Sequence, residues 1–238
     1  MGALHSRYVQ GNLLYWDTHQ KRLVDAIGVD TIRFVDCFTE GGVATADNLL
    51  GWTTTLVEGG AGETTVAYTD VSGGALLISA DAADNDGANL QRKGEAFGFA
   101  ATNYVTYFGC RIKISEATQS DILVGLCITD TDLLGGMTDG VYFRKVDAST
   151  AMSFVTEKDS TETEATTVLT VAADTYYILE FYWDGTSIEA FVDGVSVATH
   201  TTDIPDDELL TPSIHFLAGT TGGMTATVDW VRAIQVGR

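Results

Sequence analysis

Residues 176–199 read YYILEFYWDGTSIEAFVDGVSVAT. Tyr177, Leu179, Phe181 and Trp183 alternate with Tyr176, Ile178, Glu180 and Tyr182, the period of two that marks a β-strand. Asp184-Gly185 then supplies a pair that tolerates positive φ, as a tight hairpin turn requires. Ile188, Ala190 and Val192 alternate again before Asp193-Gly194 turns the chain a second time. Three strands joined by two such turns make an antiparallel meander, and a meander predicts an all-β protein.

Working outward, further strand-like runs lie at 53–57, 64–69, 75–79, 104–114, 122–129, 140–145, 152–157, 166–171, 213–218 and 224–236. A spacing of roughly ten residues with turn signals between the runs is the pattern of a sandwich or jelly roll. Segments 158–163 (KDSTET) and 203–210 (DIPDDELL) read as polar connections, the second with a single helical turn. The 238 residues suit one large β-sandwich or one sandwich with an appendage, and the two prolines, Pro205 and Pro212, leave no Pro-rich linker.

The net charge of −20 argues against nucleic acid, whose phosphates require a basic footprint. The charge is unevenly placed. Residues 1–33 hold four basic groups (Arg7, Lys21, Arg22, Arg33) against three acidic ones (Asp17, Asp25, Asp30), while the rest hold nine against thirty. Residues 1–36 also carry many apolar side chains with a period neither of two nor of 3.6, with a helical turn at 21–27 and a strand at 31–35. Two readings fit: a strand and loop covering the sandwich, or an arm that docks on a partner. The arm reading divides the chain into a docking arm, 1–36, and a β-sandwich, 37–238, with Tyr8, Tyr15, Trp16, Arg22 and Phe34 as the partner-binding residues, since aromatics and arginine enrich interfaces.

No motif for chemistry appears on the sandwich. Cys37, Cys110 and Cys127 form no paired spacing, which favours a reducing cytoplasm as the place of assembly. No apolar stretch has the length of a signal peptide or a membrane span, so no membrane partner is expected. The four histidines, His5, His19, His200 and His215, lack the spacing of a zinc site. Asp81, Asp84 and Asp86 before Gly87 suggest calcium, but an EF-hand alignment puts Ala82 first and Lys93 twelfth, and the 130–139 loop with Asp130, Asp132 and Asp139 reads the same way, as a solvated turn. No metal or other cofactor is expected. Glu162 and Glu164 have the spacing of a carboxylate pair on one strand face, yet they sit in a polar Thr and Glu run. Tyr142, Tyr176, Tyr182 and Trp183 are the candidates for stacking on sugar rings, set against a role in the core.

The stretch TYYILEFYWDGTSIEAFVDGVSVAT, the Ile204-Pro205 turn and the closing VDWVRAIQV (228–236) together resemble the last strands of a concanavalin A-like lectin/glucanase sandwich, a LamG-like jelly roll. Residues 139–159, DGVYFRKVDASTAMSFVTEKD, resemble virion-associated members of that group from tailed phages, and 5–28 resemble the leading segment of head decoration, or cement, proteins. The Glu-x-Asp-x-x-Glu of laminarinase-like enzymes is absent. The resemblance implies a non-enzymatic capsid decoration protein. It would be made in the host cytoplasm, sit on the capsid surface, bind the major capsid protein and assemble as a dimer or trimer. The alternative is a carbohydrate-binding module of a tail or fibre, with glycans as partners.

Overall fold

The computed structural model describes residues 4–9, 12–17, 22–39, 49–60, 62–69, 71–81, 83–100, 105–220 and 222–237, without the side chains of Leu4, Val9, Asp17, Arg22, Leu23 and Val24. Among them are eighteen strands and no α-helix, hence none long and apolar enough to cross a membrane. The meander read from the sequence is present as β14 (Tyr177–Trp183), β15 (Ile188–Val192) and β16 (Val195–His200). Its second turn has both residues at positive φ, Asp193 at 50° and Gly194 at 78°, the mirror-image turn that matches strand twist. At the first turn Asp184 Oδ1 accepts the backbone N–H groups of Thr186 and Ser187 at 2.8 and 2.9 Å, an Asx turn.

One sheet runs β13 (Thr161–Thr170), β12 (Ala151–Lys158), β11 (Gly140–Lys145), β10 (Ser120–Cys127), β17 (Thr211–Ala218), β8 (Gly87–Arg92), β5 (Trp52–Val57). The other runs β16, β15, β14, β9 (Val105–Ile114), β18 (Thr225–Val236), β7 (Leu76–Ser79), β6 (Thr65–Tyr68). The long β18 serves two neighbours on one side. Its first half pairs with β7, a bulge intervenes between Val228 and Trp230, and its second half pairs with β4 (Thr31–Asp36). Between the sheets lies a core of alternate residues. Phe108 stacks on Phe181 at 5.1 Å, and Phe154 lies 5.9 Å from Phe181 and 5.1 Å from Phe143. Each fully buried aromatic contributes roughly 1.5–3 kcal/mol. Cys110 and Cys127 are buried free thiols, raised by that burial, and Cys37 is half-buried and free.

The leader folds differently from an extended arm. Residues 31–36, grouped with it in the sequence reading, hydrogen-bond along β18 as a strand of the sandwich. Ahead of them β1 (Leu4–Val9), β2 (Asn12–Asp17) and β3 (Arg22–Ile27) form a separate three-stranded meander, so 22–27 is strand and not helix. One face of this meander packs on the outside of the second sheet, where Leu14 and Ala26 cluster with Tyr107, Ile234 and Val236. Arg33 pairs with Asp25 at 3.0 Å. Asn12, buried, fixes the turn into β4, its Oδ1 accepting from Asp30 N and Thr31 Oγ1 at 3.3 Å each.

The connection 158–163 is shorter than the sequence suggested. Asp159 and Ser160 alone turn the chain, at φ 50° and 62°, and β13 starts at Thr161.

Candidate functional site

The outer face of the seven-stranded sheet is polar at both sides and apolar in the middle. Alternation places Ala88, Leu90, Ile214, Phe216, Ile122 and Val124 inward, so their neighbours face out. Register then aligns Gln91, Ser213, Gly125, Tyr142, Val155 and Glu164 in one row across the strands. The next row holds Asn89, His215, Leu123, Arg144 and Ser153.

The β10–β11 loop lies over the middle of this face. Leu133 and Met137 pack on Leu123, Cys127, Tyr142 and Val155. Gln91 clamps the start of the loop, donating to Ile128 O at 3.0 Å and accepting from Asp130 N at 2.9 Å. Asn89 Nδ2 donates to Thr131 O at 2.6 Å, which turns its Oδ1 toward His215 Nδ1. His215 is therefore the Nδ1–H tautomer, and burial pushes it down to about 3, so it stays neutral. The loop's acidic groups serve its own backbone: Asp130 Oδ1 accepts Asp132 N at 2.7 Å and Asp132 Oδ1 accepts Gly135 N at 3.0 Å. Asp86 likewise accepts from Gly59 N and Ala83 N. Among the described residues no three His, Cys, Asp or Glu side chains converge as metal ligands.

Beside the loop, two glutamates meet across strands. The Asp159-Ser160 turn sets Glu157 directly opposite Glu162. The Tyr142 hydroxyl reaches both, at 2.8 Å to Glu157 and 3.2 Å to Glu162. Arg144 grips Glu162 with a two-pronged fork at 2.6 and 2.8 Å, and lies 3.5 Å from Glu164. Burial pushes the Glu157 carboxyl up, whereas the Arg144 fork holds Glu162 down. A phenol carries one proton, so it cannot donate to two carboxylates at once. Glu157 is the nearer acceptor of that proton, and the two carboxyls beside it are pushed in opposite directions, Glu157 up by burial and Glu162 down by the Arg144 fork. Such a pair, held apart in acidity, is the arrangement from which acid and base roles are built. Reading spacing along one strand matched Glu162 with Glu164; the partner that shares its hydroxyl lies across the hairpin.

The five expected partner-binding residues divide. Tyr8 is 76% exposed on β1 and Tyr15 is half-buried on β2. Trp16 packs edge-on against Tyr182, and Phe34 packs edge-on against Trp52 with centroids 5.6 Å apart. Arg22 opens β3, and its side chain lies outside the described ones. Of the sugar-stacking candidates, Tyr142 and Trp183 are buried, Tyr182 is covered by Trp16, and Tyr176 lies under the Arg111 guanidinium at 3.9 Å. His5 is exposed, His200 is buried with Nδ1 3.0 Å from Thr156 Oγ1, and His19, like Ala82, lies outside the described residues.

Two antiparallel sheets in this order define a concanavalin A-like jelly-roll sandwich, and comparison with solved structures agrees. An endo-1,3-β-glucanase from Streptomyces sioyaensis superposes with a TM-score of 0.63, covering 90% of this chain and 100% of that one at 13% identity. A family 16 endo-glucanase from Bacteroides ovatus gives 0.60, with 84% and 99% covered at 14% identity. The Bacillus licheniformis β-glucanase gives 0.58, with 84% and 97% covered at 15% identity. The chain belongs to the SO2946-like family, whose C-terminal domain model matches residues 73–233. No curated protein matches it. At these identities the likeness to the glucanases establishes the fold. It also corrects the expectation of a non-enzyme, because the neighbouring structures are glycoside hydrolases.

Proposed function

We propose that the protein is a structural component of a tailed-phage particle, a capsid decoration protein that attaches to the major capsid protein through the outward face of its N-terminal meander. One observation carries this. Register places Tyr8, Leu13 and Ile27 side by side on the meander face opposite Leu14 and Ala26. Tyr8 is 76% exposed, Ile27 55%, and Val29 in the following turn 81%. An apolar row on a nearly neutral leader, carried by a body of strongly negative charge, is a surface suited to a partner. Burying it contributes about 25 cal/mol per Å² of apolar surface before association costs. Attachment as a dimer or trimer would add avidity with no new type of contact. The acidic sandwich would face solvent on the capsid exterior. A cryo-EM map of the assembled particle tests this reading. Sandwich density outside the shell, with the meander against the capsid protein, supports it; particles without the protein refute it.

A second reading rests on the Glu157–Tyr142–Glu162 cluster in a fold shared with glucanases: cleavage of a β-glucan, Glu157 as acid and Glu162 as the ionised partner. Reducing-sugar release from mixed-linkage β-1,3-1,4-glucan decides it. Turnover that disappears in both Glu157→Gln and Glu162→Gln supports it, and no turnover by the unaltered protein removes it.

A further inference from the structure

A cavity of about 470 Å³ opens beside β4, bounded by residues 33–37, the 50–51 turn, Tyr68 at the end of β6 and Arg92 at the end of β8. That volume falls in the range of small-molecule sites. Two strands, β10 and β17, separate β8 from the β11–β13 hairpins that carry the glutamate cluster. The mouth is accessible: Leu50 is 72% exposed, Val35 36% and the Arg33 side chain 48%.

Arg92 separates this cavity from a passive gap. It is half-buried, with its guanidinium over the Phe34 ring at 5.1 Å. Its Nη1 atom takes the place that a Cβ on Gly51 would occupy, and Gly51 itself sits at φ 78°. The guanidinium is thus held in orientation by a ring and a bare backbone. Among the described residues no carboxylate pairs with it and no acceptor takes its N–H groups. It carries five donors in a rigid fork, the shape that matches a carboxylate with two parallel hydrogen bonds. The other charges at the cavity are already matched. Arg33 Nε pairs with Asp25 at 3.0 Å. Asp36 accepts from Phe38 N at 2.7 Å and from Trp52 Nε1 at 2.9 Å, one bond to each oxygen.

The chemistry of the occupant follows. A neutral molecule would leave the Arg92 fork unmatched. A doubly charged anion would bring a second negative charge close to Asp36, in a chain whose net charge is already −20. One negative charge fits. Val35 and Leu50 beside the fork are apolar and exposed, so the rest of the occupant is apolar and takes their surface out of water. We infer that this cavity is a binding site for a small monocarboxylate with an apolar body, its carboxylate on the Arg92 fork. The inference is independent of attachment through the meander and of chemistry at Glu157 and Glu162.

Calorimetric titration of the full chain tests it. Benzoate and butyrate are the probes, benzamide is the neutral counterpart of benzoate, and inorganic phosphate is the doubly charged control. The site predicts saturable binding of at least one carboxylate, with benzamide and phosphate weaker by about tenfold or more. Cys37 reports the place of binding, because it lines the cavity and is half-buried while Cys110 and Cys127 are fully buried. Iodoacetamide should alkylate Cys37 first, and the bound carboxylate should slow that reaction. Arg92→Gln should weaken binding about tenfold or more, and Arg92→Lys, which keeps a cation against Phe34 without the fork, should fall between. The inference is overturned by any of four results: no saturation with either carboxylate, benzamide or phosphate bound as tightly, a Cys37 rate unchanged at saturation, or full affinity in Arg92→Lys.

Discussion

Trp16 of the N-terminal meander meets Tyr182 of the sandwich edge to face, with ring centroids 5.3 Å apart and planes at 80°. Burial under this contact pushes the Tyr182 hydroxyl up to about 12. Beside it, Leu14 and Ala26 close over Tyr107 and Ile234. The leader is thus anchored by one face and free on the other, which is what an attachment surface requires.

Trp16→Ala should undock the meander and leave the sandwich folded. The lost edge-to-face pair and buried area amount to roughly 1–3 kcal/mol. Hydrogen exchange should rise selectively in β1 to β3 while β9 and β14 stay protected.

Gly109 is required by what crosses it. A Cβ there would come within 2.3 Å of the Tyr107 hydroxyl, which donates to the buried Glu180 at 2.6 Å. Gly109→Ala forces the ring aside and disturbs that hydrogen bond, at a cost of about 2–4 kcal/mol. Thermal unfolding should show a midpoint lower by about 5–15 °C.

The two glutamates should give opposite pH signatures. Glu157 is raised above its ordinary 4.5, so the protonated form is favoured in the folded state. That stability is complete below 4.5 and fades as pH rises through the raised value. Glu162 is lowered from 4.5, so its contribution is present above 4.5 and is lost as pH falls through the lowered value. Midpoints followed across pH should therefore show Glu157→Gln removing loss on the rising side and Glu162→Gln removing loss on the acid side.

Gln91 holds the loop over the sheet face from both its amide atoms. Gln91→Leu should release the 128–139 segment, leaving Asp130 N and Ile128 O to water, without unfolding the strands beneath. Limited proteolysis should cut within that segment faster, about tenfold for each 1.4 kcal/mol lost.

The all-β architecture was legible because Tyr177 to Val192 alternates and Asp-Gly marks its turns. β8 was not legible. Its sequence GANLQR has no β-branched or aromatic residue, and its outward Asn89 and Gln91 look like loop residues until the loop they hold is placed above them. The leader misled for a related reason: a meander with one face buried and one face apolar but exposed shows no clean period. The Glu157–Glu162 pairing was hidden because cross-strand partners depend on turn length. Once Asp159-Ser160 is a two-residue turn, the pairing follows by register.

On the reading proposed above, the Tyr8–Leu13–Ile27 face attaches the protein to a phage shell, and co-sedimentation of the Tyr8→Asp, Ile27→Asp double variant with shells of the major capsid protein is the decisive measurement. Both side chains are exposed, so the variant should unfold at the temperature of the unaltered protein and yet remain in the supernatant. A variant that pellets with the shells as fully as the unaltered protein would contradict the claim.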